Sequence, residues 1–453
     1  MHRRHIMKTD SGFAEEAVSR ALKGGADQAE AFIRSSRSLS VEVKEQSVDS
    51  LKSARSFGYS VRVIRSGRLG FSYSTKRDDL GFVVERALDS AGLSDEDACL
   101  ELPEGPQESS PVEVFDPAIE SLGEDDAVRH VMLLEKSAYD TDDRIRRIRK
   151  AAGSFTVSET IVVNSKSVFA AYAATACSAQ VTAIADDSGE SQMGWDFGSG
   201  RFFRDIAFAE IGRNAAKRAA GLLGARKIDG GKADIMLDNS VTVDFLGIFA
   251  ASLSSEAVQK GRSLLAGKLG RKVLSEGVSL TDSGCLAGRS GSSPVDDEGV
   301  ASAETPVVRD GILEKYLYNT YTARKGGVHS TGNAVRGRFS SLPSVGITNL
   351  FMEPASGNDA LPLNEMFHFV DKGLYVTDAM GVHTANPVSG EFSVGVSGLW
   401  IEKGRICYPV KEAVISGNIL DFFGRVRAVG DDLRFYGNIG GPTVVISDVD
   451  VSA

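Results

Sequence analysis

Gly58-Tyr59-Ser60-Val61-Arg62-Val63, then the tip Arg65-Ser66-Gly67-Arg68, then Leu69, Phe71 and Tyr73: apolar side chains recur here at every second position. A period of two puts alternate side chains on one face of a strand, and the Ser-Gly tip reads as a hairpin turn. Upstream, Leu39, Val41 and Val43 repeat the pattern and add another strand. Helical stripes flank this meander. Phe13, Ala17, Val18, Ala21 and Leu22 form one within residues 12–22, with Gly24-Gly25 as the stop. Leu80, Val83, Val84, Ala87 and Leu88 form the other within 79–88. Helix, antiparallel meander, helix is a two-layer α+β unit, assigned to residues 1–92.

Farther along the chain, residues 95–116 hold eight acidic residues and no Lys or Arg, punctuated by Pro103, Pro106 and Pro111. Residues 93–122 therefore read as a solvated connection with no specific role. A central α+β region follows over 123–229, with a helix at 124–139, a hairpin at 161–169, a strand at 180–184 and an Ala-rich helix at 205–223 closed by Gly224. After Gly230-Gly231 the texture turns to strands and turns, so 230–453 is expected to be a C-terminal β-rich domain. Asp310-Gly311 and Lys403-Gly404 mark hairpins there, and one helix is expected over 240–257, with Phe245, Phe249, Leu253 and Ala257 on its buried stripe. The fold class is α+β, with N-terminal helix and antiparallel-sheet domains followed by a mostly antiparallel β C-terminal domain.

Composition narrows the function classes. The 453 residues carry 51 basic and 61 acidic side chains, a net charge of −10, which disfavours direct nucleic-acid binding. No stretch of 18 apolar residues exists to span a membrane, and the amino terminus lacks the apolar core of a signal peptide. Cys99, Cys177, Cys285 and Cys407 stand singly, so a reduced, cytoplasmic setting is expected. His2 and His5 read as part of a solvated tail.

The chain has no GxSxG elbow, no phosphate loop, and none of its six histidines precedes a glutamate. Two polar clusters stand out. The loop 288–299 contains Asp296-Asp297-Glu298, read either as a solvated loop or as a cation site under a mobile lid. The stretch 380–395 contains His383, Asn386, Gly390, Phe392 and Ser393, read either as one wall of a peptide groove or as a hydrogen-bonded turn.

Several segments, in order along the chain, carry a family likeness. Leu39 to Val43, Ser50 to Arg55, Gly58 to Val63, Asp296 to Gly299, Ser330 to Arg336, Ser389 to Gly395, Ser416 to Ile419 and Ala428 to Asp432 together resemble the TldD/PmbA family. The resemblance implies a peptidase architecture with two subunit types. The TldD type is a zinc peptidase with an HExxxH helix and a later Cys ligand, whereas the TldE (PmbA) type lacks these ligands and partners it. Laid on HExxxH, this chain has Ser255 and Lys260 at the two histidine positions, with Glu256 retained. Positions five apart lie about 140° apart around a regular helix, so metal-binding relatives need a distorted turn there. Lys260 follows Glu256 by four residues, the favourable order for an ion pair. Where TldD-type chains carry Cys-Gly-Lys, Tyr436 to Pro442 stands instead, and Cys407 reads as a strand residue.

The resemblance thus implies a TldE/PmbA-like, non-catalytic subunit of a TldD-type zinc metallopeptidase acting on unfolded or extended peptides. Its own site is degenerate (Ser255, Glu256, Lys260), it needs no metal in this chain, and zinc resides in a TldD-type partner. His383, Asn386, Gly390, Phe392 and Ser393 are the candidate peptide-binding residues. A homodimer or a heterodimer with a TldD-type subunit is expected. The alternatives are a standalone homodimeric peptide-binding scaffold, or a metal hydrolase using His329, His368, His383 or the 296–298 carboxylates. The family also bears the label "modulator of DNA gyrase".

Overall fold

The computed structural model describes residues 2–108 and 111–452, with side chains from Asp10 onward. The side chains of His2 and His5 therefore lie outside the described residues, but the backbone expected as a tail is helical from His2. In chain order the first half comprises α1 (His2–Lys23), β1 (Gln28–Lys44), β2 (Ser47–Arg65), β3 (Arg68–Ser74), α2 (Leu80–Leu93), α3 (Pro117–Glu120), α4 (Glu124–Tyr139), β4 (Ile145–Asn164), β5 (Phe169–Asp187), β6 (Glu190–Gly200) and α5 (Phe208–Gly221). All six strands form one antiparallel sheet in the order β3-β2-β1-β4-β5-β6. Strands from the first and the central sequence regions thus share a sheet, because β1 pairs with β4 from Glu30↔Asn164 to Val43↔Ala151.

Odd-numbered residues of β1 face helices along its length. Ala29, Ala31 and Ile33 meet α1 and α2 together with Tyr59, Val61 and Val63, whereas Val41 and Val43 meet α4 and α5. The tip between β2 and β3 is a tight turn with Ser66 at φ 51° and Gly67 at φ 68°. Leu69, Phe71 and Tyr73 share a face, but the register pairs Gly70 with Val63, so those three turn away from α2. The helix-facing residue of β3 is Gly70, where an added Cβ would sit 1.9 Å from the Ala87 carbonyl oxygen. The apolar stripe of α2 continues to Ala91, so this helix outruns its expected end. The Ala-rich helix α5 starts at Phe208 instead of Asp205, because Phe203–Asp205 form a separate 3₁₀ turn.

The second half comprises β7 (Gly231–Leu237), α6 (Asn239–Ser252), α7 (Ser255–Gln259), β8 (Val278–Ser283), β9 (Glu304–Arg309), β10 (Ile312–Leu313), α8 (Thr320–Gly326), β11 (Ala334–Val335), β12 (Ser344–Val345), β13 (Leu350–Pro354), α9 (Leu363–Met366), β14 (Lys372–Met380), β15 (Glu391–Glu402), β16 (Arg405–Asn418), α10 (Ile419–Phe423), β17 (Val426–Val429), β18 (Arg434–Tyr436), β19 (Ile439–Gly441) and β20 (Val444–Ser452). One sheet runs β16-β15-β14-β7-β20-β17, and β16 also pairs with β20, so five of its strands close on themselves. A second sheet runs β10-β9-β8-β13-β19-β18, and β11 and β12 form a separate ribbon. Most pairings are antiparallel, with β7–β14 and β13–β19 parallel. Between the two sheets, α6 buries Phe245, Phe249 and the following Leu253.

The even face of β1 meets the second half across a charged seam. Arg62 of β2 bonds Glu30 of β1 at 2.5 Å and Glu298 at 2.8 Å, and Arg336 bonds the other oxygen of Glu30. Arg34 bonds Asp297 at 2.7 Å, and the other Asp297 oxygen accepts the Arg336 N–H. Three guanidinium groups thus meet three carboxylates, and Glu30, Glu298 and Arg336 are almost fully buried. Burial works against the charge on Arg62, but Glu30 and Glu298 outweigh it and hold its pKa above the usual value. Burial likewise opposes ionisation of Glu298, yet Arg62 and the Thr320 N–H hold its carboxyl below the ordinary range.

This network overturns the reading of 288–299 as a solvated loop or a cation site. Asp296 accepts the N–H groups of Glu298, Val300 and Ala334, so the three consecutive carboxylates point to three different internal partners. The acidic connection is corrected too. Leu102 and Val114 are buried, Glu101 and Glu104 bind Lys166 at 2.6 and 2.9 Å, and Asp97 accepts the Tyr321 hydroxyl at 2.7 Å. It is a strap lying across the seam.

Two stability measurements follow. Gly70→Val is expected to lower stability by about 2–3 kcal/mol, because β3 and α2 must separate to fit the new side chain; an unchanged urea midpoint would contradict the close approach. Arg62→Met and Glu298→Gln should each cost about 3–5 kcal/mol, since each strands a buried partner. Together they should cost clearly less than the sum, and strict additivity in urea unfolding would mean that the pair is uncoupled.

Candidate functional site

The segment laid on the metal motif does not continue α6. Leu317 donates its N–H to the Leu253 carbonyl at 2.9 Å, and its own carbonyl accepts the Ser255 N–H at 3.0 Å. These strand-like bonds take the groups a continuing helix would use, so the single helix expected over 240–257 breaks at Ser254. Ser254 caps the short α7 through the Ala257 N–H, and Gly261 ends the turn with φ 66°. Ala257 accordingly leaves the stripe of Phe245 and Phe249 and is only partly buried.

Within this turn the polar groups satisfy one another. Ser255 is 1% exposed, and its hydroxyl bonds Thr322 Oγ1 at 2.8 Å. Thr322 belongs to the capping box of α8 and bonds Asn319 Oδ1 at 2.8 Å. Gln259 Nε2 donates to the Thr322 carbonyl at 2.8 Å, fixing the other end of α7 to α8. Lys260 Nζ lies 2.5 Å from Glu256 Oε1, with the side chains 57% and 35% exposed. The structure thus joins Glu256 and Lys260 and turns Ser255 away from them into the interior.

Two cavities meet at Glu256. One, of about 490 Å³, lies between the α6–α7 break and β12, walled by Ala250, Ala257, Leu317, Val345 and Ile347 with Lys260 and Arg262 beside Glu256. The other, of about 540 Å³, lies on the seam between the two halves of the chain. Its walls include Leu69, Leu100 and Leu342 with Asp97, Glu101 and Tyr321. The Cys99 N–H and the Tyr321 hydroxyl hold the Asp97 carboxyl below its usual range, and that same bond pushes the Tyr321 phenol up to about 12.

These residues do not fit a zinc ion. Zinc takes thiolate, imidazole or carboxylate ligands, whereas position 255 offers a neutral hydroxyl already engaged and position 260 an ammonium. Tyr436, in the C-terminal run, donates its hydroxyl to Asn239 at 3.1 Å and packs edge-on against Trp195. Cys407 is an exposed residue of β16. His329, His368 and His383 are all exposed, and among the described residues no group of three or more His, Cys, Asp and Glu could hold a metal ion.

The stretch 380–395 forms a turn and not a groove with free backbone groups. Asn386 Oδ1 accepts the N–H groups of Val388 and Ser389, the Gly390 N–H goes to the Asn386 carbonyl, and the Gly390 carbonyl accepts the Ile419 N–H. Phe392 is 5% exposed and packs between Phe245 and Phe422 in the core. Beyond the turn β15 is paired on both sides, by β14 and β16. His383 and Ser393 remain exposed, on opposite sides of the turn in sequence. Sequence reasoning missed Glu30, Arg62, Arg336 and Thr322; the alternation around Arg62 was the one signal, and it reads equally well as a solvent-facing position.

Family models of the PmbA/TldA metallopeptidase match the chain at residues 29–91 (domain 1), 117–223 (central domain) and 230–453 (C-terminal domain). Metalloprotease PmbA of Escherichia coli O157:H7 is 27% identical over 449 residues, covering 97% of this chain and 96% of that protein. A Thermotoga maritima structure described as a candidate modulator of a DNA gyrase superposes with TM-score 0.90 at 27% identity, covering 97% of this chain and 99% of that one. TldE of Thermococcus kodakarensis superposes with TM-score 0.88 over 97% and 100% of the two chains, a likeness of fold at 20% identity. With all three domain models matched in order over most of its length, the chain belongs to the PmbA/TldD metallopeptidase family.

Proposed function

We propose that this chain is the non-catalytic, TldE/PmbA-like subunit of a zinc metallopeptidase, paired in the cytoplasm with a TldD-type chain that supplies the metal and activates water. The pair acts on unfolded or extended peptides. The observation that carries this reading is the closed turn at 255–260. Ser255 is buried against Thr322 and Lys260 is spent on Glu256, so the one carboxylate that would serve as a general base already neutralises an ammonium. Catalytic zinc needs three protein ligands and an open position, and the donor set here supplies none of that geometry. The metalloprotease named among the relatives then describes the assembly to which this chain contributes a substrate-contacting wall. No helix among the described residues is long and apolar enough to cross a membrane.

Co-expression with a TldD-type chain from the same organism tests the reading. Hydrolysis of an unfolded peptide should require both chains, fall by at least about tenfold when this one is omitted, and be abolished by a chelator. A TldD-type chain equally active alone would refute the subunit role, and homodimers that form no complex with the TldD-type chain would favour a scaffold.

A further inference from the structure

The cavity between the α6–α7 break and β12 has a chemistry that a vestigial metal site does not account for. Its walls are apolar, with small side chains on the helical side (Ala250, Ala257) and branched ones opposite (Leu317, Val345, Ile347). Against that lining stand one carboxylate, Glu256, and two cations, Lys260 and Arg262. The Lys260–Glu256 pair is neutral as a unit and leaves two ammonium N–H groups free to donate. Arg262 has no carboxylate partner among the described residues, so the cavity carries one uncompensated positive charge. The main chain that carries Arg262 is ordered by Gly261 at φ 66° and by the Arg262 N–H donating to the Ala257 carbonyl at 2.8 Å, and its side chain is exposed at the cavity rim. On the far side Val345 of β12 lines the cavity, and among the described residues this strand pairs with β11 alone. The volume, about 490 Å³, suits a short stretch of peptide.

We infer that this cavity receives the free α-carboxylate end of an extended peptide whose last side chain is small or branched and apolar. The carboxylate meets the Arg262 guanidinium, with Lys260 as a second donor, and the terminal side chain lies against Leu317, Val345 and Ile347. The apolar wall of Leu317, Val345 and Ile347 gives an acidic last side chain no partner, so peptides ending in one should bind more weakly. Guanidinium is suited to this task, because its fork matches both oxygens of one carboxylate. This assignment rests on the peptide-handling role proposed above and adds the end of the peptide that this subunit holds.

Calorimetric titration of the full chain, without a partner, with the tetrapeptide acetyl-AAAV as free acid and as carboxamide tests it. The acid should bind at least about tenfold more tightly than the amide, and Arg262→Gln should abolish that preference while leaving thermal unfolding unchanged. Arg262→Lys should retain part of it, and Lys268→Gln, outside this cavity, should retain all of it. Equal affinity for acid and amide, no binding of the acid at millimolar concentration, a preference that survives Arg262→Gln, or one equally lost in Lys268→Gln would overturn the assignment. Because the partner is absent, failure of the subunit role in the co-expression assay and failure of carboxylate binding here are separate results.

Discussion

The buried ion network between Glu30, Arg62, Arg336, Glu298, Asp297 and Arg34 is the constraint on which the rest of the molecule depends. Taking the charges of Glu30, Arg62, Glu298 and Arg336 out of water is costly, and each is offset by opposite charge in direct contact. Such a network contributes little net stability over an apolar seam, but it admits one arrangement. It locks the even face of β1 and β2 to the loop 296–299 and to Arg336. Glu298 then reaches on to the Thr320 N–H at the start of α8, so the same network sets the helix whose Thr322 receives Ser255. The position of α7 is thus tied to the seam through two hydrogen bonds.

That chain of contacts leaves the polar groups of the 255–260 turn satisfied by protein partners. The turn is organised by Leu317 pairing with the backbone at the α6–α7 break and by Thr322 and Gln259 joining α7 to α8. Lys260 completes the exchange by placing its charge on Glu256. The turn keeps its place at the junction of two cavities while its groups are satisfied without a metal. What remains exposed there is an apolar pocket with one unspent guanidinium.

Much of the fold was legible in the sequence, and the failures have physical causes. Period-two alternation and Ser-Gly, Asp-Gly and Lys-Gly tips identified the hairpins because those signals are local: Ser66, Asp310 and Lys403 do adopt positive φ before their glycines. The pairing of β1 with β4 was invisible, since nothing local records which distant strand completes a sheet. The helix over 240–257 was read through its break because periodicity at Phe245, Phe249 and Leu253 says nothing of the Leu317 backbone that interrupts it. The carboxylates at 296–298 read as solvated because their partners, Arg34, Arg62 and Arg336, are remote in sequence. The ion pair of Glu256 with Lys260 was legible because it spans one helical turn. Phe392 looked available to a ligand only because its neighbours are polar; its ring belongs to the core beside Phe245 and Phe422.

A turn closed by its own polar partners, as at residues 255–260, should hold no metal. Elemental analysis of the isolated full chain, saturated with zinc and then dialysed, tests this most directly. Well under about 0.1 zinc per chain is expected, with no change in unfolding temperature on adding a chelator. About one zinc per chain, retained through dialysis and lost to the chelator with a fall in stability, would contradict it.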